Sequence, residues 1–185
     1  SEFADQLAGG SGEDLIEGNG GADHIYGDSG FNLNLSERYE NVRDGLAGHF
    51  LMLGTAFITA NTDNSATSDD LVAGQDRLLG GGGDDVVFGD HGLITQREGF
   101  LKVLGTDSVR HAKTESPLNG ASDVITGDGG DDRIFGGSAG DFINYMPAVG
   151  TGTEPTPVLG QTGDDVIIAD NGEAVLDPDN NNRPI

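Results

Sequence analysis

The sequence has no cysteine, no tryptophan, only 9 basic residues and no long apolar run. Without cysteine there is no disulfide framework and no thiolate metal site. Nine basic residues against 32 acidic ones, a formal net charge of −23, argue against nucleic acid as a partner, because an acidic surface repels phosphate. The longest apolar stretch, 50–60, is broken by Gly54 and two threonines. It falls short of the roughly 18 residues a membrane helix needs, so membrane insertion is not expected. There is no H-E-x-x-H zinc motif and no G-x-S-x-G nucleophile elbow, and none of His24, His49, His91 and His111 stands three or four residues from another. His24 is expected on an outward strand position and His91 at a loop tip, both at the surface. No secretory leader opens the chain, and Ser1-Glu2-Phe3, without an initiator methionine, reads as a cloning remnant on an internal fragment of a larger protein.

Glycine and aspartate are abundant, and their places are fixed. The phrase Gly9-Gly10-Ser11-Gly12-Glu13-Asp14-Leu15-Ile16-Glu17 is followed at once by Gly18-Asn19-Gly20-Gly21-Ala22-Asp23-His24-Ile25-Tyr26. The pattern returns over 80–88, 127–135, 136–144 and 160–168, and chance does not produce six copies, four of them in adjacent pairs. A charge of this size ordinarily accompanies disorder, but here Asp14, Asp23, Asp85, Asp132, Asp141 and Asp165 recur at position six of the repeat. Glycines at positions one, two and four let the chain turn through backbone angles closed to other residues. They also leave carbonyl oxygens bare, and the aspartate adds charge to them. Such a set suits calcium, a hard cation that takes roughly six to eight oxygen ligands in tolerant geometry.

Positions seven to nine read as a short strand with one apolar side chain inward: Ile16, Ile25, Leu78, Val87, Ile125, Ile134, Ile143 and Ile167. Burying each of these is worth roughly 1.5–3 kcal/mol, while fixing each residue's backbone costs about 1–2 kcal/mol. The ladder alone therefore does not hold nine residues per rung, and a bound cation must supply much of the difference.

The pattern G-G-x-G-x-D-x-U-x, with U a large apolar residue, resembles the nonapeptide of RTX (repeat-in-toxin, haemolysin-type calcium-binding) proteins. The resemblance implies an all-β fold, a right-handed parallel β-roll that forms a calcium-stacked solenoid with hairpin-like excursions. In such rolls two nonapeptides make one turn, and an ion sits between loops eighteen residues apart. One loop offers the carbonyls of positions two and four with its aspartate; the other offers those of positions one and three with its own. Carried over here, main-chain ligands are expected from Gly10, Gly12, Gly21, Gly81, Gly83 and Gly130, and from Gly27, Ser29, Gly127, Gly129, Gly136, Ser138, Gly160 and Thr162. Side-chain ligands are expected from Asp14, Asp23, Asn32, Asp76, Asp85, Asp90, Asp123, Asp132, Asp141, Asp165 and Asp170. The best sites pair Asp14 with Asn32, Asp123 with Asp141 and Asp132 with Asp165. Weaker ones, Asp23/Asp76 and Asp85/Asp123, span excursions, for about five to eight calcium ions in all.

A longer period divides the chain. Runs of good repeats end in a degenerate one: Gly27-Asp28-Ser29-Gly30, Gly89-Asp90-His91-Gly92 and Ala169-Asp170-Asn171-Gly172. In these, Asn32, Ile94 and Ala174 stand at position six, and Asp28, Asp90 and Asp170 at position two supply compensating charge. After a lead-in over 1–8, the sequence therefore predicts one roll over 9–177 in three modules, 9–35, 71–97 and 118–177. Excursions occupy 36–70, 98–117 and 145–159, and a polar tail 178–185. A single turn cannot bury its apolar row, so the modules must stack. Residues 31–35 alternate as a strand, 93–96 and 100–104 read as two strands around a turn, and 36–53 reads as a helix or a strand pair.

The resemblance also implies calcium-driven folding after type I secretion, in a structural, stalk or folding segment of a large secreted or cell-surface bacterial protein, and no enzymatic activity. The rest of the parent chain would be its neighbour. An alternative is a carbohydrate- or surface-binding module, its cell-surface or glycan ligand held on an excursion beside Tyr39 or Tyr145. A remote alternative is calcium-dependent self-processing at Asp177-Pro178. The carboxylate pairs Asp84-Asp85, Asp131-Asp132 and Asp164-Asp165 fit cation ligation and local field better than acid–base catalysis.

Overall fold

The structure, a computed structural model, describes residues 2–33, 71–96, 109–147, 154–177 and 183–184. They are all-β. Position seven-to-nine segments form two parallel sheets, and the chain alternates between them. The first sheet holds Gln6–Ala8 (β1), His24–Tyr26 (β3), Val86–Phe88 (β6), Arg133–Phe135 (β10) and Val166–Ile168 (β14), in that order. The second holds Leu15–Gly20 (β2), Arg77–Gly82 (β5), Val124–Gly129 (β9) and Phe142–Ile143 (β11). The segment expected as a lead-in thus supplies a strand of its own.

Position eight does what its periodicity predicts. Ile25, Leu78, Val87, Ile125 and Ile134 are buried together, with Leu7, Ile16 and Ile143 packed against them. Ile167 departs from the expectation: it is 46% exposed. Among the described residues the second sheet ends at β11, so no described strand lies across from this last residue of the ladder.

A third sheet collects the excursions: Gly30–Leu33 (β4), Gly92–Gln96 (β7), Val109–Thr114 (β8), Glu173–Asp177 (β15) and Arg183–Pro184 (β16). Each G-D-x-G phrase is where the chain leaves a parallel sheet for this one. β4 and β7 run parallel, and β8 lies antiparallel to both β7 and β15. The strand expected over 93–96 is therefore present, with Val109–Thr114 as its antiparallel partner; 36–53 and 100–104 lie outside the described residues. Part of the expected polar tail, Arg183–Pro184, pairs with β15. Within the last excursion, Tyr145–Met146 (β12) and Thr156–Pro157 (β13) form a small antiparallel pair.

The third sheet covers one face of the first, and the sequence records this at position nine. In the first sheet that position is Tyr26, Phe88, Phe135 and Ile168; in the second it is Glu17, Leu79, Thr126 and Asn144. Tyr26 stacks on Phe88 at 5.3 Å between ring centroids and Phe88 on Phe135 at 4.7 Å. Their column packs with Ile94, Val109, Ala112 and Ala174 into a second core. Such stacked pairs add about 0.5–1.5 kcal/mol beyond their burial. His24 lies on this covered face, so the surface expectation fails: its side chain is fully buried, and burial holds its pKa down at about 4. His91 is buried as well, its Nδ1 2.8 Å from Ser29 Oγ and its Nε2 2.9 Å from Asn119 Nδ2.

Candidate metal centre

Every loop between the two parallel sheets ends in an aspartate just before its strand, so stacking the strands sets the aspartates in file. Beside the first sheet, the Asp5 N–H donates to Asp23 Oδ1 at 2.7 Å, Asp23 to Asp85 at 2.7 Å, Asp85 to Asp132 at 2.9 Å and Asp132 to Asp165 at 3.1 Å. Beside the second, Asp14 donates to Asp76 at 2.8 Å, Asp76 to Asp123 at 2.8 Å and Asp123 to Asp141 at 3.0 Å. One carboxylate oxygen of each aspartate after the first in its file thus holds the preceding rung, which leaves the other for something else.

The expected facing pairs Asp123/Asp141 and Asp132/Asp165 are therefore present. Asp14 does not face Asn32: it faces Asp76, 62 residues along, while Asn32 is carried into the third sheet opposite Ile94. Likewise Asp23 faces Asp85 rather than Asp76, and Asp85 faces Asp132 rather than Asp123. The reason lies in how excursions interrupt a loop. Gly27-Asp28-Ser29-Gly30 opens a loop and leaves, and the chain returns at Gly74 to finish that loop with Asp76. Gly89-Asp90-His91-Gly92 is finished in the same way by Asp123. The position-two aspartates pin the returning chain: Asp28 Oδ1 accepts from the Gly74 N–H at 3.0 Å, and Asp90 Oδ1 from the Ala121 N–H at 2.8 Å. Asp90 Oδ2 accepts in addition from the Ser138 N–H. The first two degenerate repeats are not decayed; their sixth position sits elsewhere in the sequence.

The second carboxylate oxygen is the notable atom. Oδ2 of Asp14, Asp23, Asp76, Asp85, Asp123, Asp132 and Asp141 is buried and has no hydrogen-bond partner among the described residues. Each converges on the position-one glycine of its own loop. A Cβ on Gly18 would collide with both Asp23 Oδ2 and the Gly80 carbonyl oxygen of the next rung. The same overlap recurs at Gly9 (Asp14 and Gly27), Gly27 (Asp76 and Gly89), Gly80 (Asp85 and Gly127), Gly89 (Asp123 and Gly136) and Gly136 (Asp141 and Ala169). Except at Gly160, whose φ is 103°, position one is thus glycine to leave room where a carboxylate and a main-chain carbonyl meet, not to reach an unusual φ. The left-handed backbone falls instead at positions two and four, as at Gly10 (φ 98°), Gly12 (109°), Gly21 (116°), Gly81 (106°), Gly83 (131°) and Gly130 (131°).

Burial raises the carboxyls of Asp23, Asp76, Asp85, Asp123, Asp132 and Asp141, with neighbouring aspartates pushing the same way. Asp85 and Asp123 are lifted to about 8 and Asp132 to about 7. Asp90 is lifted to about 6, and Asp23, Asp76 and Asp141 are also raised, each chiefly by burial. Among the described residues no three His, Cys, Asp or Glu side chains converge. The donors that do converge are carboxylate and carbonyl oxygens, which suit a hard cation.

The remaining expected ligands are dispersed. Gly129 bridges Thr162, whose carbonyl accepts from the Gly130 N–H. Ser29 and Ser138 use their hydroxyls on His91 and on the Pro117 carbonyl. Gly160 lies at the open end of the last loop with φ 103°, and Asp170 is exposed. Sequence reasoning missed Asp5, although Asp5-Gln6-Leu7 repeats the spacing of aspartate to apolar residue nine residues before Asp14. It also passed over the position-one glycines Gly9, Gly18, Gly80 and Gly89.

Residues 1–33, 72–92 and 119–144 match the RTX calcium-binding nonapeptide repeat family, in four copies. The chain carries RTX repeats. Comparison with curated proteins and with solved structures gives no match. RTX repeats bind calcium, RTX proteins are typically secreted, and the buried oxygen files fit that ion. Among the described residues no helix is long and apolar enough to cross a membrane. Pro178 of the Asp177-Pro178 bond lies outside the described residues.

Proposed function

We propose that this RTX chain is a calcium-dependent folding module, a right-handed parallel β-roll that serves as a structural or stalk segment of a secreted or cell-surface bacterial protein and carries no catalysis. The observation behind it is the set of seven buried Oδ2 atoms without a hydrogen-bond partner among the described residues, six of them meeting a main-chain carbonyl of the next rung. A buried anionic oxygen without a partner is costly, and two files of them cannot persist unless a cation or protons offset the charge. Bound calcium supplies that positive charge. Asp14, Asp23, Asp76, Asp85, Asp123 and Asp141 would each hold an ion together with the carbonyl of Gly27, Gly80, Gly89, Gly127, Gly136 or Ala169, and Asp132 would do so beside Asp165. This number falls within the expected five to eight.

These oxygens meet only when distant segments stack, so binding free energy is folding free energy. An affinity in the extracellular class, roughly 10⁻⁴–10⁻³ M, leaves the chain unfolded at low internal calcium and folds it outside. Titration followed by far-UV circular dichroism tests the proposal. Without calcium, β signal should be weak at pH 8; millimolar calcium should restore it cooperatively, and magnesium, which demands a tight octahedron, should not. Native-like β content in calcium-free solution at that pH would refute it.

A further inference from the structure

Arg133 is a buried charge between two valines. It opens β10 at position seven of its repeat, with Val86 of β6 on one side and Val166 of β14 on the other. Valine suits that covered face, yet the arginine there is only 3% exposed. A charge is not held out of water without partners. Its Nη1 donates to the Asp131 carbonyl, which draws the guanidinium back over the loop that ends in Asp132. The carboxylates of Asp84, Asp131, Asp132 and Asp165 all act on it there, against the burial that lowers its pKa. An arginine stays charged even so.

The same rung differs in a second way. At six position-one glycines a Cβ would meet both the carboxylate of its own loop and a carbonyl of the next rung. At Gly127 its nearest contacts would all be with Asp132. The carbonyl that does not converge here belongs to Gly160, the next position-one glycine along the first file. Gly160 re-enters the roll from the excursion over 145–159 in the left-handed region, at φ 103°, and among the described residues a Cβ on it would meet nothing within 4 Å. The Asp132–Asp165 site therefore lacks the close carbonyl of the other six and has a fixed positive charge beside it.

We propose that Arg133 is a tethered counter-ion for the Asp132–Asp165 site, and that it makes this the weakest of the calcium sites and the last to fill. The inference rests on the calcium reading. In the calcium-free rung the guanidinium offsets part of the charge that Asp132 and Asp165 bring together, so the loop can close before an ion arrives. Once an ion enters, the same guanidinium repels it, and a fixed like charge counts for more where water is sparse. Arg77 follows Asp76 in the same way, but it is exposed, with its Nη2 4.0 Å from Met146 Sδ. Solvent screens an exposed charge, so Arg77 serves as the internal control.

The test is equilibrium dialysis of the full chain against radioactive calcium at pH 8, with far-UV circular dichroism on the same samples to count folded chains. At a calcium concentration that just completes folding, the parent should hold one ion fewer per folded chain than Arg133→Val. That deficit should close only at roughly tenfold higher calcium or more. Arg133→Lys, which keeps the charge, and Arg77→Val, which removes an exposed one, should both behave as the parent. If valine merely packed better, the folding midpoint would fall while the number of ions per folded chain stayed the same, and that result would overturn the proposal. So would failure of both Arg133→Val and Arg133→Met to fold at any calcium concentration, since the arginine would then be a structural need. A parent that folds with calcium and fills all its sites together removes the counter-ion role alone. A chain that takes up no calcium removes the calcium reading, and this role with it.

Discussion

Replacing Gly80 with alanine isolates the role assigned to position one of the repeat. The φ of Gly80 lies outside the left-handed region, so alanine meets no backbone barrier there, and the loss of glycine's freedom in the unfolded chain should stabilise by about 0.4–1 kcal/mol. Against that, the new methyl would occupy the space where Asp85 Oδ2 and the Gly127 carbonyl converge. If an ion sits there, its site is lost. With calcium at ten to a hundredfold its dissociation constant, one lost site costs about 1.4–2.7 kcal/mol of folding free energy. Gly82→Ala is the matched control: its φ is also outside the left-handed region, and its Cβ would meet only the Asn19 carbonyl oxygen, at an ordinary 3.8 Å. Thermal unfolding at fixed calcium should therefore show Gly82→Ala near or slightly above the parent and Gly80→Ala clearly below it. Calorimetry should count one ion fewer for Gly80→Ala alone. Equal stability and equal ion counts in the two variants would show that position one is not a cation cradle.

Two further outcomes follow from the same geometry. Asp132→Ala removes a buried carboxylate from the middle of its file and should raise the calcium midpoint for folding. Asp131→Ala removes a side chain that accepts from the exposed Asp164 N–H and should raise it much less, so equal shifts would mean that position six is not the ligand. The pH dependence has a definite sign in the calcium-free chain. With Asp85 and Asp123 raised to about 8 and Asp132 to about 7, the folded state binds more protons than the unfolded one. That contribution is fully present below the ordinary carboxyl value and is lost as pH rises through 7 to 8. Acidification from pH 8 to 5 without calcium should therefore increase β signal, and with calcium present it should raise the midpoint as protons compete for the same oxygens. His24, held at about 4 by burial, works in the opposite direction, removing stability as pH falls below its unfolded value near 6.5. A calcium-free chain whose β signal does not rise on acidification would contradict the burial assigned to these carboxyls.

How much was legible in the sequence can be judged residue by residue. The nine-residue spacing by itself determined that Asp14, Asp23, Asp85, Asp132, Asp141 and Asp165 end equivalent loops and that Ile25, Val87, Ile125 and Ile134 line one core. Both follow from local geometry: a loop that needs bare glycines and a strand that points one side chain inward repeat wherever the phrase repeats. Which aspartate faces which was not local. Asn32 stands eighteen residues after Asp14, yet Asp76 takes its place, because the entropy of closing a longer loop grows only slowly with length. The excursion leaves after Gly30, and the chain rejoins wherever a Gly-x-Asp-x-Leu segment can finish the waiting rung. Only the tertiary structure shows Gly27 beside Asp76 and Gly89 beside Asp123. It also decided the surroundings of His24: the residue precedes an inward isoleucine and so points away from the roll, but the third sheet, built from three separate excursions, covers that face. The aromatic column at Tyr26, Phe88 and Phe135 was written in the sequence as a difference between alternate repeats. Its meaning depended on a sheet whose strands come from distant parts of the chain, and periodicity within the repeats carries no information about that assembly.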